Sequence, residues 1–132
     1  MGFKLSARSQ SKLDGVNEPL VRLVNRALEI SDADFAIIEG LRSIEKQQEN
    51  VRKGVSQTMK SKHLTGDAID ILPSSIKPGM KWELHHFKPV LDAFYRASVE
   101  LGIPLRFGIN WKNDPSLPIE TKFIDAPHIE LV

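Results

Sequence analysis

The stretch SKHLTGDAID, Ser61 to Asp70, decides how this chain is read. It places His63 seven residues before Asp70, and the chain closes on a second acidic and histidine pair, Asp125 and His128, in DAPHIELV. Two imidazoles and one carboxylate are a complete protein ligand set for catalytic zinc, which takes three protein ligands and leaves the fourth position to water. Asp125, three residues before the last histidine, is then a spare carboxylate able to act as a base. The residues point to a metal hydrolase.

The same stretch sets the local structure. Asp67 to Leu72 reads as a strand ended by Pro73. Alternation puts Asp70 on a face with Ala68 and Leu72, and turns Ile69, Ile71 and Asp67 to the other side. His63 lies just ahead of this strand, so it meets Asp70 only if the intervening segment folds back. His128 must arrive on a neighbouring strand, read over His128 to Val132.

Around this centre the pattern predicts a helix over Glu18 to Ile30, capped by Asn17, with Pro19 early and Leu20, Leu23, Val24, Ala27 and Leu28 on one face. FAIIEG, Phe35 to Gly40, reads as a buried strand. Ser43 caps a strongly polar helix from Ile44 to about Lys53, stopped by Gly54 and expected on the surface. Val55 to Lys62 reads as a loop. Trp82 to Leu101 is helical, with Pro89 starting or kinking its main segment and Gly102 ending it. LRFG, Leu105 to Gly108, is a further short strand, and Trp111 to Thr121 a loop with two prolines. Helices and strands mix without regular alternation, which gives an α+β class with a small, mainly antiparallel sheet flanked by helices.

Composition bounds the function. A length of 132 residues fits one domain, 1–132, large enough for a real core. Eighteen basic residues against seventeen acidic ones leave a net charge of +1, which argues against a nucleic-acid binder built on a dominant basic surface. The absence of cysteine rules out disulfides and thiolate metal sites. No apolar run is long enough to span a membrane, and the N-terminus does not read as a secretory signal. No nucleic-acid or membrane partner is expected.

SKHLTGDAID resembles the Ser-x-His-x6-Asp signature of the D-alanyl-D-alanine metallopeptidase and L-alanyl-D-glutamate endopeptidase group. DAPHIELV is similar to its second motif, an acidic residue three before the last zinc-binding histidine, and GLRS around Arg42 and LRFGINW, Leu105 to Trp111, look like phage endolysins of that group. The resemblance covers nearly the whole chain. It implies a compact α+β zinc peptidase fold, shared in outline with the hedgehog signalling domain. It also implies zinc on His63, Asp70 and His128, a general base at Asp125, an arginine that stabilises the oxyanion at Arg42, and a substrate contact at Ser61. Many relatives carry Glu where this chain has Asp125; the endolysin-like members use Asp.

The resemblance implies a zinc-dependent endopeptidase that cuts the L-alanyl-D-glutamate bond of the peptidoglycan stem peptide. Such an enzyme acts in host lysis by a phage or prophage, accumulates in the host bacterial cytoplasm, and reaches the wall after holin-type release. A monomer is expected. The rivals are a D,D-carboxypeptidase or D-alanyl-D-alanine dipeptidase on the same zinc core, and a zinc-stabilised binding module without activity. Other polar residues carry weaker expectations. Asp67 is expected to anchor a loop. Glu130, on a face with His128, either supports that ligand or competes as base. Arg42 has the simple alternative of an ion pair. His85 and His86 are expected on the surface, and Lys60 and Lys62 either attract an anionic substrate or are merely solvated. Trp111 either lines a groove or plugs the core.

Overall fold

The structure is a computed structural model and describes residues 5–54, 62–108 and 127–132. Its elements run α1 (Ala7–Lys12), α2 (Glu18–Ile30), β1 (Phe35–Glu39), α3 (Ile44–Arg52), a 3-10 turn (Lys62–Thr65), β2 (Ala68–Pro73), α4 (Leu84–Leu101), β3 (Leu105–Phe107) and β4 (His128–Leu131). The four strands form one sheet in the order β1-β2-β4-β3, and every neighbouring pair is antiparallel. This is the α+β class, with the mainly antiparallel sheet, that the sequence predicts.

The sheet has two faces of different character, and strand register creates them. Ile37 pairs with Ile71, and Ile129 pairs with both Ile69 and Phe107. These residues join Leu20, Leu23, Val24 and Ala27 of α2 and Phe87, Val90, Phe94 and Ala97 of α4 in one core. Each large apolar side chain fully buried there contributes about 1.5–3 kcal/mol. On the strands' alternate positions Asp70 is opposite His128, and Glu130 is opposite both Ala68 and Arg106. Because side chains alternate with period two, the register that buries the isoleucines under the helices also collects the polar residues on the opposite face.

Two elements differ from expectation. α1 is a helix that the sequence pattern does not announce: ARSQSK is short, polar and without an apolar stripe. Its Ser6 caps the first turn by accepting from the Ser9 N–H at 3.1 Å, and Ser9 Oγ accepts from the Ile37 N–H at 3.1 Å. The helix thereby packs against β1 and satisfies a donor on that edge strand. Asn17 holds the cap position of α2 but makes no side-chain cap bond. Its amide instead donates to Asp67 and lies 3.4 Å from the Thr65 carbonyl, while its backbone N–H donates to Gly66 O at 2.9 Å. Asp67, which also accepts from Thr65 Oγ1 at 2.7 Å, is the loop anchor that the alternation predicts. Ser43 caps α3 as expected, accepting from Lys46 N–H at 3.1 Å. That helix is not wholly superficial, because Gln47 is fully buried. Pro89 lies inside α4, and Gly102 ends that helix at φ +68°.

The turn between His63 and Asp70 therefore hangs on the start of α2. Gly66 has φ +78°, and a Cβ there would lie 2.4 Å from the Gly15 carbonyl oxygen. Both the conformation and the close approach require glycine. Gly66→Ala is expected to cost on the order of 1–3 kcal/mol in urea unfolding. Gly79→Ala, at φ +86° but in open space, is the control. It is expected to cost about 1 kcal/mol. Equal losses at the two positions would show that the close approach to Gly15 contributes nothing.

Candidate metal centre

Three side chains meet on the polar face. Asp70 projects from the middle of β2. His128 opens β4 and is its direct cross-strand partner. His63 comes from the 3-10 turn, which folds the segment before β2 back towards the sheet. One donor atom from each of these three residues lies within 4.8 Å of the others. Asp70 Oδ1 is 3.4 Å from His63 Nε2 and 3.4 Å from His128 Nδ1. The two imidazole rings stand edge to face, with centroids 5.1 Å apart. Both histidines are buried.

The outer nitrogens of the rings decide the state of the inner ones. His63 Nδ1 is 2.9 Å from the Gly40 carbonyl oxygen, and His128 Nε2 is 2.8 Å from Glu130 Oε1. A carbonyl or carboxylate oxygen only accepts, so each outer nitrogen carries the proton. A neutral imidazole then holds its lone pair on the other nitrogen. These are Nε2 of His63 and Nδ1 of His128, the two atoms that face Asp70. Asp70 Oδ1 is itself buried without a hydrogen-bond partner among the described residues. Three electron-pair donors thus converge with no proton between them, an arrangement relieved by a cation or by protonating the rings.

Burial by itself pushes the Asp70 carboxyl up. When the rings are protonated instead, they donate to Asp70 and carry positive charge, which outweighs the effect of burial and holds its carboxyl well below the usual carboxylate range. Asp70 stays ionised, as a metal ligand must. The donor set of two nitrogens and one carboxylate oxygen fits a zinc-type ion that keeps an open position.

The supports of the site were only partly legible in the sequence. Gly40 offers its carbonyl to His63 from a position where a Cβ would lie 2.0 Å from the Lys12 carbonyl oxygen, so α1 closes on it as tightly as glycine permits. The Arg42 N–H donates to His63 O at 2.9 Å. The Arg42 guanidinium pairs with Glu39, and its Nη1 donates to Gln47 Oε1 at 2.6 Å. Glu39 is in turn the cross-strand partner of Asp70. Arg42 therefore makes the ion pair that is its alternative reading, and the pair borders the centre. Lys62 is not a solvated lysine, since its ammonium donates to Leu131 O and lies 3.4 Å from Glu130 Oε2. His85 is exposed as expected. His86 is half-buried, with Nδ1 2.8 Å from Ser75 Oγ. Asp125, Ser61, Lys60 and Trp111 lie outside the described residues.

Fold and site together define a small α+β domain with a two-histidine, one-carboxylate centre of the kind used by metal hydrolases. The model of the phage L-alanyl-D-glutamate peptidase family matches residues 1–132. The L-alanyl-D-glutamate peptidase of Escherichia phage T5 is 40% identical over 138 residues, covering 100% of both chains. Among solved structures, the Serratia marcescens L-Ala D-Glu endopeptidase ChiX is 37% identical. It superposes with a TM-score of 0.81 over 98% of this chain and 90% of that one. The chain belongs to the phage L-alanyl-D-glutamate peptidase family, and it is a peptidase.

If the three donors act as one ligand set, His63→Ala, Asp70→Ala and His128→Ala should each lose stoichiometric zinc after dialysis, as read by metal analysis. Full occupancy in any variant removes that residue from the set. In the parent, zinc affinity should fall in acid, because protons and metal compete for the same lone pairs.

Proposed function

We propose that this chain is a zinc-dependent endopeptidase that hydrolyses the L-alanyl-D-glutamate bond of the peptidoglycan stem peptide and serves as a phage or prophage endolysin. The observation that carries the proposal is the convergence of His63 Nε2 and His128 Nδ1 on the ionised, half-buried Asp70, in a chain of this peptidase family. His63, Asp70 and His128 would hold the zinc. When bound, zinc supplies Lewis acidity, which acidifies water and polarises a carbonyl oxygen.

The chain's own groups do the rest. Asp125 takes a proton from the attacking water and delivers it to the leaving amine. Arg42 donates to the oxygen that becomes negative as the carbonyl carbon turns tetrahedral. Its bonds to Glu39 and Gln47 fix the guanidinium plane in advance, so little reorganisation is needed when charge develops. Ser61 contacts the substrate. Water adds across the amide, leaving L-alanine as a new carboxylate on the sugar-linked side and D-glutamate as a new amine. We infer one peptidase domain across 1–132 that works as a monomer. It accumulates in the host cytoplasm and reaches the wall by holin-type release. No helix among the described residues is long and apolar enough to cross a membrane.

Digestion of purified peptidoglycan, followed by N-terminal labelling and mass spectrometry, tests the bond. New N-terminal D-glutamate, with L-alanine left on the lactyl group, is the expected product. Release of D-alanine alone would identify a D,D-carboxypeptidase or dipeptidase and overturn the endopeptidase assignment. No cleavage with zinc bound would mean a binding module.

The roles of Asp125 and Arg42 separate kinetically. Asp125→Ala should keep zinc and fold while losing about 10²–10⁴-fold in turnover. Arg42→Ala should lower kcat by on the order of 10²–10³ and change KM less. An unchanged kcat with reduced stability would reduce Arg42 to its ion pair with Glu39.

A further inference from the structure

Glu130 is a buried carboxylate on the polar face to which the mechanism above gives no task. It lies two residues beyond His128 on β4 and shares its face. Both of its oxygens are engaged. Oε1 accepts from His128 Nε2 at 2.8 Å. Oε2 lies 3.4 Å from Lys62 Nζ and 4.0 Å from an Arg106 Nη. Lys62 also donates to the Leu131 carbonyl, and it is the residue immediately before His63.

Burying a carboxylate is unfavourable unless it is paired and hydrogen-bonded. Lys62 and Arg106 supply the countercharge here, so the fold maintains three charged groups where an apolar cluster would serve packing alone. Their arrangement has a consequence for His128. The two tautomers of a neutral imidazole have similar energies in water, and an unconstrained ring also rotates. An acceptor fixed at Nε2 selects the tautomer whose lone pair is on Nδ1, the nitrogen 3.4 Å from Asp70 Oδ1. The Lys62 contact then couples that strand to the turn that carries His63.

We propose that Glu130 is the positioning residue for metal capture: it holds His128 as the Nε2–H tautomer and, through Lys62, ties the turn bearing His63 to the strand bearing His128. This inference rests on the metallopeptidase function proposed above and deepens it. Partners of ligating histidines typically change metal affinity about 10–100-fold when removed. With both oxygens occupied, Glu130 is not the base that activates water.

The test uses the full chain after chelator dialysis. Zinc affinity is measured by competition with a chromophoric chelator. The protonation of both His128 ring nitrogens is read in the metal-free protein by ¹⁵N NMR, where a bare Nδ1 beside a protonated Nε2 marks the neutral tautomer. Expected are a protonated Nε2 in the parent, zinc binding about 10–100-fold weaker in Glu130→Ala, and substantial recovery in Glu130→Gln, whose amide oxygen still accepts from Nε2–H. Zinc binding by Glu130→Ala as tight as the parent, or a bare Nε2 in the parent, overturns the proposal. A base role would instead leave Glu130→Gln inactive with full zinc affinity in both variants. Should Glu130→Ala fail to fold, Lys62→Met replaces it, and parent-like zinc binding there overturns the tie to the His63 turn. A folded parent that binds no zinc defeats the metallopeptidase function itself, an outcome distinct from a parent and a Glu130→Ala variant that bind equally.

Discussion

The antiparallel register that sets Asp70 opposite His128 is the constraint from which the rest of this structure follows. One residue of slip of β4 against β2 would turn His128 under the helices and expose Ile129. The hydrophobic core therefore enforces the geometry of the polar site. Burial of Ile69, Ile71 and Ile129 against α2 and α4 makes the competing register costly by several kcal/mol. The register sets where Asp70 and His128 stand, and Glu130 sets how the His128 ring turns. Two of the three donors are thus placed on rigid elements, where a site is held more tightly than on loops.

The third donor needs different means. His63 comes from a short turn, and its position depends on contacts distant in sequence. Its ring is oriented by the Gly40 carbonyl, its own carbonyl accepts from the Arg42 N–H, and the end of its turn is held by Asn17 at the start of α2. Gly40 and Gly66 permit these approaches, since α1 crowds the first and the Gly15 carbonyl the second. α1 and α2 serve the site in this indirect way: they close the pocket of backbone into which the turn is fastened.

Local patterns made most of the fold and the three candidate donors legible in the sequence. The strands over 35–39, 68–73 and 105–107 and the amphipathic α2 follow from apolar periodicity and turn residues that need no tertiary knowledge. The candidate donors are legible because a His-x6-Asp pair, weak by itself, occurs together with a terminal Asp-x-x-His. What could not be read is what depends on partners far along the chain. α1 has no apolar stripe, and it exists because Ser9 meets the edge of β1. Asn17 looks like a cap by type and position, yet Asp67 competes for its amide and wins. Gln47 reads as surface on a polar helix but is buried beside Arg42. Lys62 reads as solvated because nothing local says that Leu131 and Glu130 will lie above it.

The division of the sheet into an apolar and a polar face also bears on how the metal and the fold depend on each other. Asp70, His63, His128 and Glu130 are buried or nearly so, and burying such groups opposes folding unless they are satisfied. Glu130 finds its countercharges within the protein, from Lys62 and Arg106. Among the described residues Asp70 Oδ1 has no hydrogen-bond partner, and the imidazole nitrogens 3.4 Å from it face it while their outer nitrogens bond elsewhere. A cation held there, or protonation of the rings, would satisfy it. A metal that binds only the folded chain stabilises it by mass action, by about 4 kcal/mol at a thousandfold excess over Kd. The apolar face holds the strands in register by burial alone. The core and the outer hydrogen bonds of the histidines therefore shape the donor set from within the fold.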